Sequence, residues 1–405
     1  MNTFKNRQGM ALMGVLMVMT FLGILMIVAF FSASTYTTSS LVKEGSDRAL
    51  YCAQAGVEEA LRTLRSGSGF GWTGVSNVAI NWTDTSSIVT NVGHYSVTQV
   101  NPPGPIPDGI WFNIPFRVTG VSPSLDGANA LRNIEIVIRA MNPAACLFNS
   151  NSQISIGGGA TINGDIFANR VKFTPPPSGK LTHVTGDVNY ITSVEGEDHT
   201  RVQIDGDIES IDNVMFPSIA MGDFEAKAHG AWKMTGSGYH EIKDQTLDGN
   251  AIDNQVIYVE GDLYIGGSNG VKVKNKSVAI AATGNIYITG HLKKIGDAQI
   301  GLFSMNKVYV ADTVTSTVQV QAFVMAQNGF EAKGSALYPK DPDALLDFFG
   351  SICIFGNSTG SSAINCDAFP LRSYVYDSSL RTNNTIPGVT YFADLVEFAV
   401  AGDPL

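Results

Sequence analysis

Twenty-four consecutive residues without a charge, Met10 to Ala33 (MALMGVLMVMTFLGILMIVAFFSA), constrain this chain more than any other feature. No Asp, Glu, Lys or Arg occurs between Gln8 and Val42. At about 1.5 Å per residue, a helix of that length runs about 36 Å, enough to cross the hydrocarbon core of a bilayer with some tilt. The segment ahead of it, MNTFKNRQG, carries only Lys5 and Arg7 as charges. Positive charge is retained on the cytoplasmic side, so the pattern predicts a single pass through the inner membrane. The N-terminus would be cytoplasmic, and residues 43–405 periplasmic or extracellular. A secretory signal peptide would have a shorter apolar run and a small-x-small cleavage site. An uncleaved anchor and a short leader cut at Gly9-Met10 are the remaining readings.

The helical pattern continues past the apolar run. In SLVKEGSDRALYCAQAGVEEALRTLRSG, the residues Ala49, Ala53, Gly56, Val57, Ala60, Leu61 and Leu64 recur at steps of three and four. That spacing places them on one face of a helix. Arg48, Gln54, Glu58, Glu59, Arg62 and Arg65 surround that face, and Ser66-Gly67-Ser68-Gly69 reads as the stop. The expectation is one long helix over 10–65, transmembrane over 10–33 and amphipathic beyond.

Residues 8–65 resemble the N-terminal region of PilX-type minor pilins, within the type IV pilin and pseudopilin superfamily. The residues that carry the resemblance are QGMAL at 8–12, the uncharged helix, and AQAGVEEAL at 53–61, which includes Ala53, Gly56 and Glu58. The resemblance implies a basic leader, 1–9, removed between Gly9 and Met10 by a prepilin peptidase. It implies as partners other pilins and minor pilins, the inner-membrane assembly machinery, and a surface ligand. In major pilins the fifth mature position is Glu; here it is Gly14. A carboxylate in the membrane is costly without a partner, and the family uses it to pair with a neighbour's terminal amine. Its replacement implies a subunit outside the repeating shaft, at the tip of a pilus or a type II secretion pseudopilus, serving assembly or adhesion.

Residues 66–143 read as a small antiparallel β unit that would cover the amphipathic half of the helix. Its strand candidates are His94–Val100, Ile110–Val118 and Leu131–Ala140. In the last, Ile134, Ile136 and Ile138 alternate with Glu135, Val137 and Arg139, the period of a half-buried strand.

From 144 to 405 the texture changes. A Gly followed by Asp or Asn and then by Ile, Val or Leu recurs at Gly164, Gly186, Gly206, Gly261 and Gly284, with separations of 22, 20, 55 and 23. Such a period predicts a β-helix, or β-solenoid, with one turn signal per coil and each coil stacked on the last. VEGDLYIGG and ATGNIYITG resemble rungs of the β-helical part of large PilX-like proteins, and SYVYDSSLRTNNTIPG at 373–388 is similar to their closing segment. The fold class expected is therefore α+β, then all-β.

The chemistry that the chain advertises is sparse. With a net charge of −10 and no basic cluster, it does not read as a nucleic-acid binder. Asp165, Asp187, Asp207 and Asp262 are either corner caps or a stacked carboxylate ladder able to serve Ca²⁺ or polysaccharide cleavage. The alternative to a pilin-like subunit is accordingly a membrane-anchored carbohydrate-binding or carbohydrate-cleaving protein with no filament role. Among the six histidines none lies in HExxH, and no CxxC or P-loop occurs, so no metal, no cofactor and no enzyme activity are expected. His229 and His240 flank Trp232 and Tyr239. Those aromatics, with Phe330 and Tyr338, are candidates for ligand contact, although burial is the commoner fate. Four cysteines, Cys52, Cys146, Cys353 and Cys366, permit two disulfides on the oxidising side. Cys353 with Cys366, 13 residues apart, is the favoured pair, and a Cys52–Cys146 pairing stays open.

Overall fold

The computed structural model describes residues 3–65, 74–84, 87–100, 106–108, 111–123, 129–174, 180–211, 216, 218–236, 238–314, 316–332, 341, 343–356, 362–382, 385–389 and 392–400. The Ser66–Gly69 stop and Tyr338 lie outside them.

The first element, α1 (Thr3–Arg65), is a single helix of 63 residues. It is a candidate membrane span by length and composition, and none of its most apolar window is buried. Within the exposed part, the hydroxyls of Thr20, Thr35, Thr37 and Thr38 donate to carbonyls one turn back, at 2.5 to 2.9 Å. Polar side chains are thereby satisfied inside the helix, as an apolar surrounding requires. The second half of α1 lies on an antiparallel sheet. Its strands are β1 (Gly74–Asp84), β2 (Ser87–Gln99), β3 (Ile106–Asp108), β4 (Trp111–Pro123) and β5 (Asn129–Met141). Ala49, Ala53, Val57, Ala60 and Leu61 are buried with Tyr95, Val97, Phe116, Val118, Ile134, Ile136 and Ile138. The three-four spacing of the helix thus meets the two-residue period of the sheet, and each covers the other's apolar face.

The small antiparallel unit does not end at 143. Phe392–Val400 pairs antiparallel with β5, Leu395 opposite Ile138, and forms the far edge of that sheet. The expected boundary, which gave all of 144–405 to one stacked unit, is corrected by this pairing. Nothing local in FADLVEFAV distinguishes a strand of one sheet from a strand of the other.

Residues 148–376 form the parallel part, in two runs of chain. The first run supplies β6 (Phe148–Ile156), β7 (Ala160–Asn163), β8 (Ile166–Phe173), β9 (Thr182–Val184), β10 (Val188–Glu195), β11 (Val202–Ile204) and β12 (Ile208–Ser210). A short helix, α2 (Met221–Lys227), follows. The second run opens with β13 (Lys233–Met234), β14 (Tyr239–Lys243), β15 (Thr246–Asp248), β16 (Val256–Val259), β17 (Asp262–Gly266) and β18 (Val271–Lys274). It goes on with β19 (Val278–Ala282), β20 (Ile286–Ile288), β21 (Leu292–Lys294), β22 (Ile300–Ser304) and β23 (Lys307–Val310). It closes with β24 (Val318–Ala326), β25 (Gly329–Ala332), β26 (Leu345–Ile354), β27 (Ile364–Asn365) and β28 (Leu371–Tyr376).

One row of paired residues shows how the runs are joined. Ile257, Ile280, Leu302, Val324 and Ile352 are consecutive partners across β16, β19, β22, β24 and β26. The next partner of Ile352 is Phe148, followed by Ile166, Val188 and Ile208. The chain therefore enters the stack in its middle, at β6. It advances to one end at β12, returns through 211–232 to the opposite end at β13, and advances again until β26 and β28 meet β6 and β7. The expectation that each coil stacks on the one before it fails at this one point. The 55-residue gap between Gly206 and Gly261 contains the return.

The return segment runs over the outer face of the β16–β19–β22–β24 column. Ile219, Phe224 and Ala228 are buried there with Tyr258, Ala281, Phe303, Phe323 and Met325, in one apolar cluster continuous with the α1–sheet core. Phe224 and Phe303 stand 4.7 Å apart, centroid to centroid, and Phe216 stacks on Phe167 at 5.5 Å. A second cluster fills the inside of the parallel region.

At the seam between the runs, polar groups fix the entry and exit of the chain. Buried Asn142 donates to the carbonyl of Leu380, and the Tyr376 hydroxyl donates to that of Ala144 at 2.7 Å. Arg372, in the row Leu346–Arg372–Ala160, points inward, bonds Asp367 and the carbonyl of Gly158, and is almost fully buried. A cavity of about 20 Å³ lies beside it, lined also by Phe148, Cys366 and Tyr374.

All four cysteines are buried free thiols. The expected Cys353–Cys366 bridge is not formed, and strand alternation gives the reason. On β26, Ile352 and Ile354 face the inner cluster, so Cys353 between them faces the outer one; Cys366 belongs to the inner. Sequence proximity does not bring two thiols together across a strand whose faces open into different cores. Burial pushes Cys366 up to about 12, and raises Cys353, Cys146 and Cys52 as well. Peptide mapping under non-reducing conditions should recover Cys353 and Cys366 unlinked to each other, and an aromatic disulfide reagent at pH 8 should label neither until the protein unfolds. A 353–366 crosslink would overturn this placement.

Candidate functional site

Three features of the described residues have the makings of a site: the contact face of α1, the Gly-Asp corners and a row of tyrosines.

On α1, Ala53 and Gly56 are the points of closest approach to the sheet. A side chain at Gly56 would meet Val118 Cγ1 at 2.5 Å and the ring of Tyr95 at 3.0 Å. Reciprocally, a side chain at Gly120 of β4 would strike the backbone of Ala49 and Ala53. Small residues on both partners let helix and sheet touch backbone to side chain. Glu58 is exposed on the opposite face, while Glu59 pairs with Arg62 at 2.6 Å. That pair holds the Glu59 carboxyl below its ordinary range, chiefly through the guanidinium hydrogen bond. Gly9, Met10 and Gly14 all lie within α1. The structure thus brings Ala53 and Gly56 together against the sheet, and leaves Glu58 and the apolar half of α1 facing outward.

The Gly-Asp signals resolve into two ladders on two different corners. In the first run, Gly164-Asp165, Gly186-Asp187 and Gly206-Asp207 precede β8, β10 and β12. Asp165 Oδ1 accepts the Asp187 N–H at 3.0 Å, and Asp187 Oδ1 accepts the Asp207 N–H at 2.9 Å. In the second run, Gly261-Asp262 and Gly284-Asn285 sit at the corner before β17 and β20, and Asp262 Oδ1 accepts the Asn285 N–H at 2.7 Å. The glycines serve space more than dihedral freedom. Only Gly164 and Gly261 have positive φ, whereas a side chain at Gly186, Gly206 or Gly284 would collide with the backbone of the preceding coil. Asp165, Asp187 and Asp262 each cap the following corner through Oδ1. Among the described residues, no group of three or more His, Cys, Asp and Glu side chains could hold a metal ion.

The tyrosines were hidden from the sequence because their spacing spans separate coils. Tyr264, Tyr287 and Tyr309 are register partners on β17, β20 and β23. Their rings stack at 4.6 and 5.3 Å, with Tyr239 edge-on to Tyr264 at 5.4 Å. Lys307 with Glu331, at 2.6 Å, borders the row. A sugar ring stacks on an open aromatic face, and here the inner faces are already used on one another. The row reads as a brace for the coils. Of the sequence candidates, His240 lies on β14 in the inward row with Leu263, Trp232 is half-buried against the inner cluster, and Phe330 is fully buried. His229 is exposed.

No family model, characterised protein or solved structure matches the chain.

Proposed function

We propose that the chain is a minor pilin or pilin-like subunit, anchored in the inner membrane by α1 and placed at the tip of a type IV pilus or a secretion pseudopilus. Its parallel-stacked region is, on this reading, a β-helix that projects outward as the contact surface. The supporting observation is the division of labour along α1. One unbroken helix has none of its most apolar window buried, and over its second half buries a stripe of small residues on an antiparallel sheet. Such a helix suits a subunit held first by lipid and then by neighbouring helices of its own kind. Gly14 stands where a shaft subunit would need a membrane carboxylate, which supports a terminal position and low copy number. Partners on this reading are other pilins and minor pilins, the assembly machinery and the prepilin peptidase. No observation favours the carbohydrate-cleaving alternative: Asp165, Asp187 and Asp262 cap backbone amides.

The test joins processing to location. Mass spectrometry of the mature protein should find Met10 at the N-terminus, and immunogold should mark filament ends. Deletion of the gene should lower filament number or surface attachment while filament bodies keep their structure. An intact Met1 together with uniform labelling of shafts, or a deletion strain with normal filaments and attachment, would sink the proposal.

A further inference from the structure

The two ladders differ in how they finish. In the row Phe148–Ile166–Val188–Ile208, the first three side chains are at most 1% exposed, whereas Ile208 is 41% exposed. Among the described residues, the pairings of β12 run to β10 alone, and all three of its residues are exposed. Asp207 C=O accepts the Val188 N–H and Ile211 N–H donates to Tyr190 C=O, both at 2.8 Å. Odd-numbered backbone groups of β12 therefore face β10, and alternation turns the N–H and C=O of Ile208 and Ser210 to the open edge. Asp207 is the last carboxylate in the cap series; among the described residues nothing donates to it, although Asp165 and Asp187 each receive the amide of the next coil. The end is also strongly acidic. Glu197, Asp198, Asp207 and Glu209 have no ion-pair partner among the described residues, while Glu195 pairs with Lys172 and Asp205 with His183.

We propose that the β12 end is a docking edge for an extended, lysine- or arginine-bearing segment of another protein chain, which adds in parallel as the next coil. Three vacancies coincide there and fit one occupant. A strand supplies backbone groups to Ile208 and Ser210, an amide to Asp207 and apolar cover to Ile208. Its cations answer the unpaired carboxylates. A second copy meeting end to end is disfavoured, because identical acidic ends would face each other.

The edge is tested on the full-length chain in detergent micelles. The probe is a labelled, acetylated and amidated peptide, GDIFANRVKFT, copied from residues 164–174, which already stack in parallel in this fold and carry Arg170 and Lys172. Anisotropy should show saturable binding that weakens at least tenfold with Ser210→Pro, which removes an outward N–H and leaves the β10 pairing intact. Asp207→Ala should weaken it as well, and Ile208→Lys, which keeps the backbone unchanged, guards against a proline artefact. The control peptide GDIFANEVEFT should not bind. The proposal is overturned by absence of saturable binding, by equal binding of the control, or by variants that bind as wild type does. Self-association of the chain alone that Ser210→Pro abolishes would also overturn it, in favour of a second copy.

Discussion

Phe348→Ala is expected to cost about 3–5 kcal/mol in the unfolding of the parallel region, among the largest effects open to a single core truncation. Phe348 is fully buried on β26. Its ring meets Phe330 at 5.7 Å and Tyr374 at 6.2 Å, and Tyr374 in turn meets Phe148 at 5.0 Å. This aromatic line crosses the seam where the second run of chain closes on the first. The alanine variant loses the transfer free energy of a phenyl ring and leaves a cavity beside one that already exists next to Arg372. Its neighbours Phe330 and Tyr374 are held on paired strands, which limits their collapse into the space. Hydrogen exchange read at 148–156 and 345–354 should speed up together, because each run protects the other's edge. Phe348→Leu, which keeps most of the volume, should cost no more than about 1.5 kcal/mol. Acceleration confined to 345–354 would show that the seam is not a shared unit.

Gly120→Leu should detach the amphipathic half of α1 from the sheet. A side chain at that position meets the carbonyl of Ala49 and the amide of Ala53, which are helix backbone and cannot rotate away. Overpacking costs about 1–3 kcal/mol where side chains can yield; here they cannot, so the upper end or beyond is expected. Trypsin should then cut after Arg48 and Arg62 while the parallel region stays intact. Gly120→Ala should show the same change in milder form. Unchanged resistance in the leucine variant would mean that helix and sheet are not in the contact described.

These effects follow from structure that the sequence reveals unevenly. The helix was legible over 10–65; that it also takes in Thr3–Gly9 was not. A 24-residue uncharged run and a three-four apolar spacing are local properties, and Ala49, Ala53, Gly56, Val57, Ala60 and Leu61 are buried as their spacing requires. The strand over Leu131–Ala140 was legible for the same reason, since Ile134, Ile136 and Ile138 alternate to one face. The Gly-Asp signals marked the starts of parallel strands. They could not reveal that the signals belong to two corners, because a cap looks alike wherever the chain turns.

What only the tertiary structure decided is which distant segments become neighbours. Ile352 pairs with Phe148, 204 positions earlier, and Phe392–Val400 leaves the parallel region to join β5. Backbone pairing is indifferent to sequence distance and to most side chains, so no local pattern announces it. The tyrosine row, the two faces that part Cys353 from Cys366, and the exposure of Ile208–Ser210 on β12 are all consequences of that pairing. The local sequence determined which elements form and which faces they bury; the register between remote strands, fixed by the sum of many core contacts, decided where the chain enters its own stack and where the stack is left unfinished.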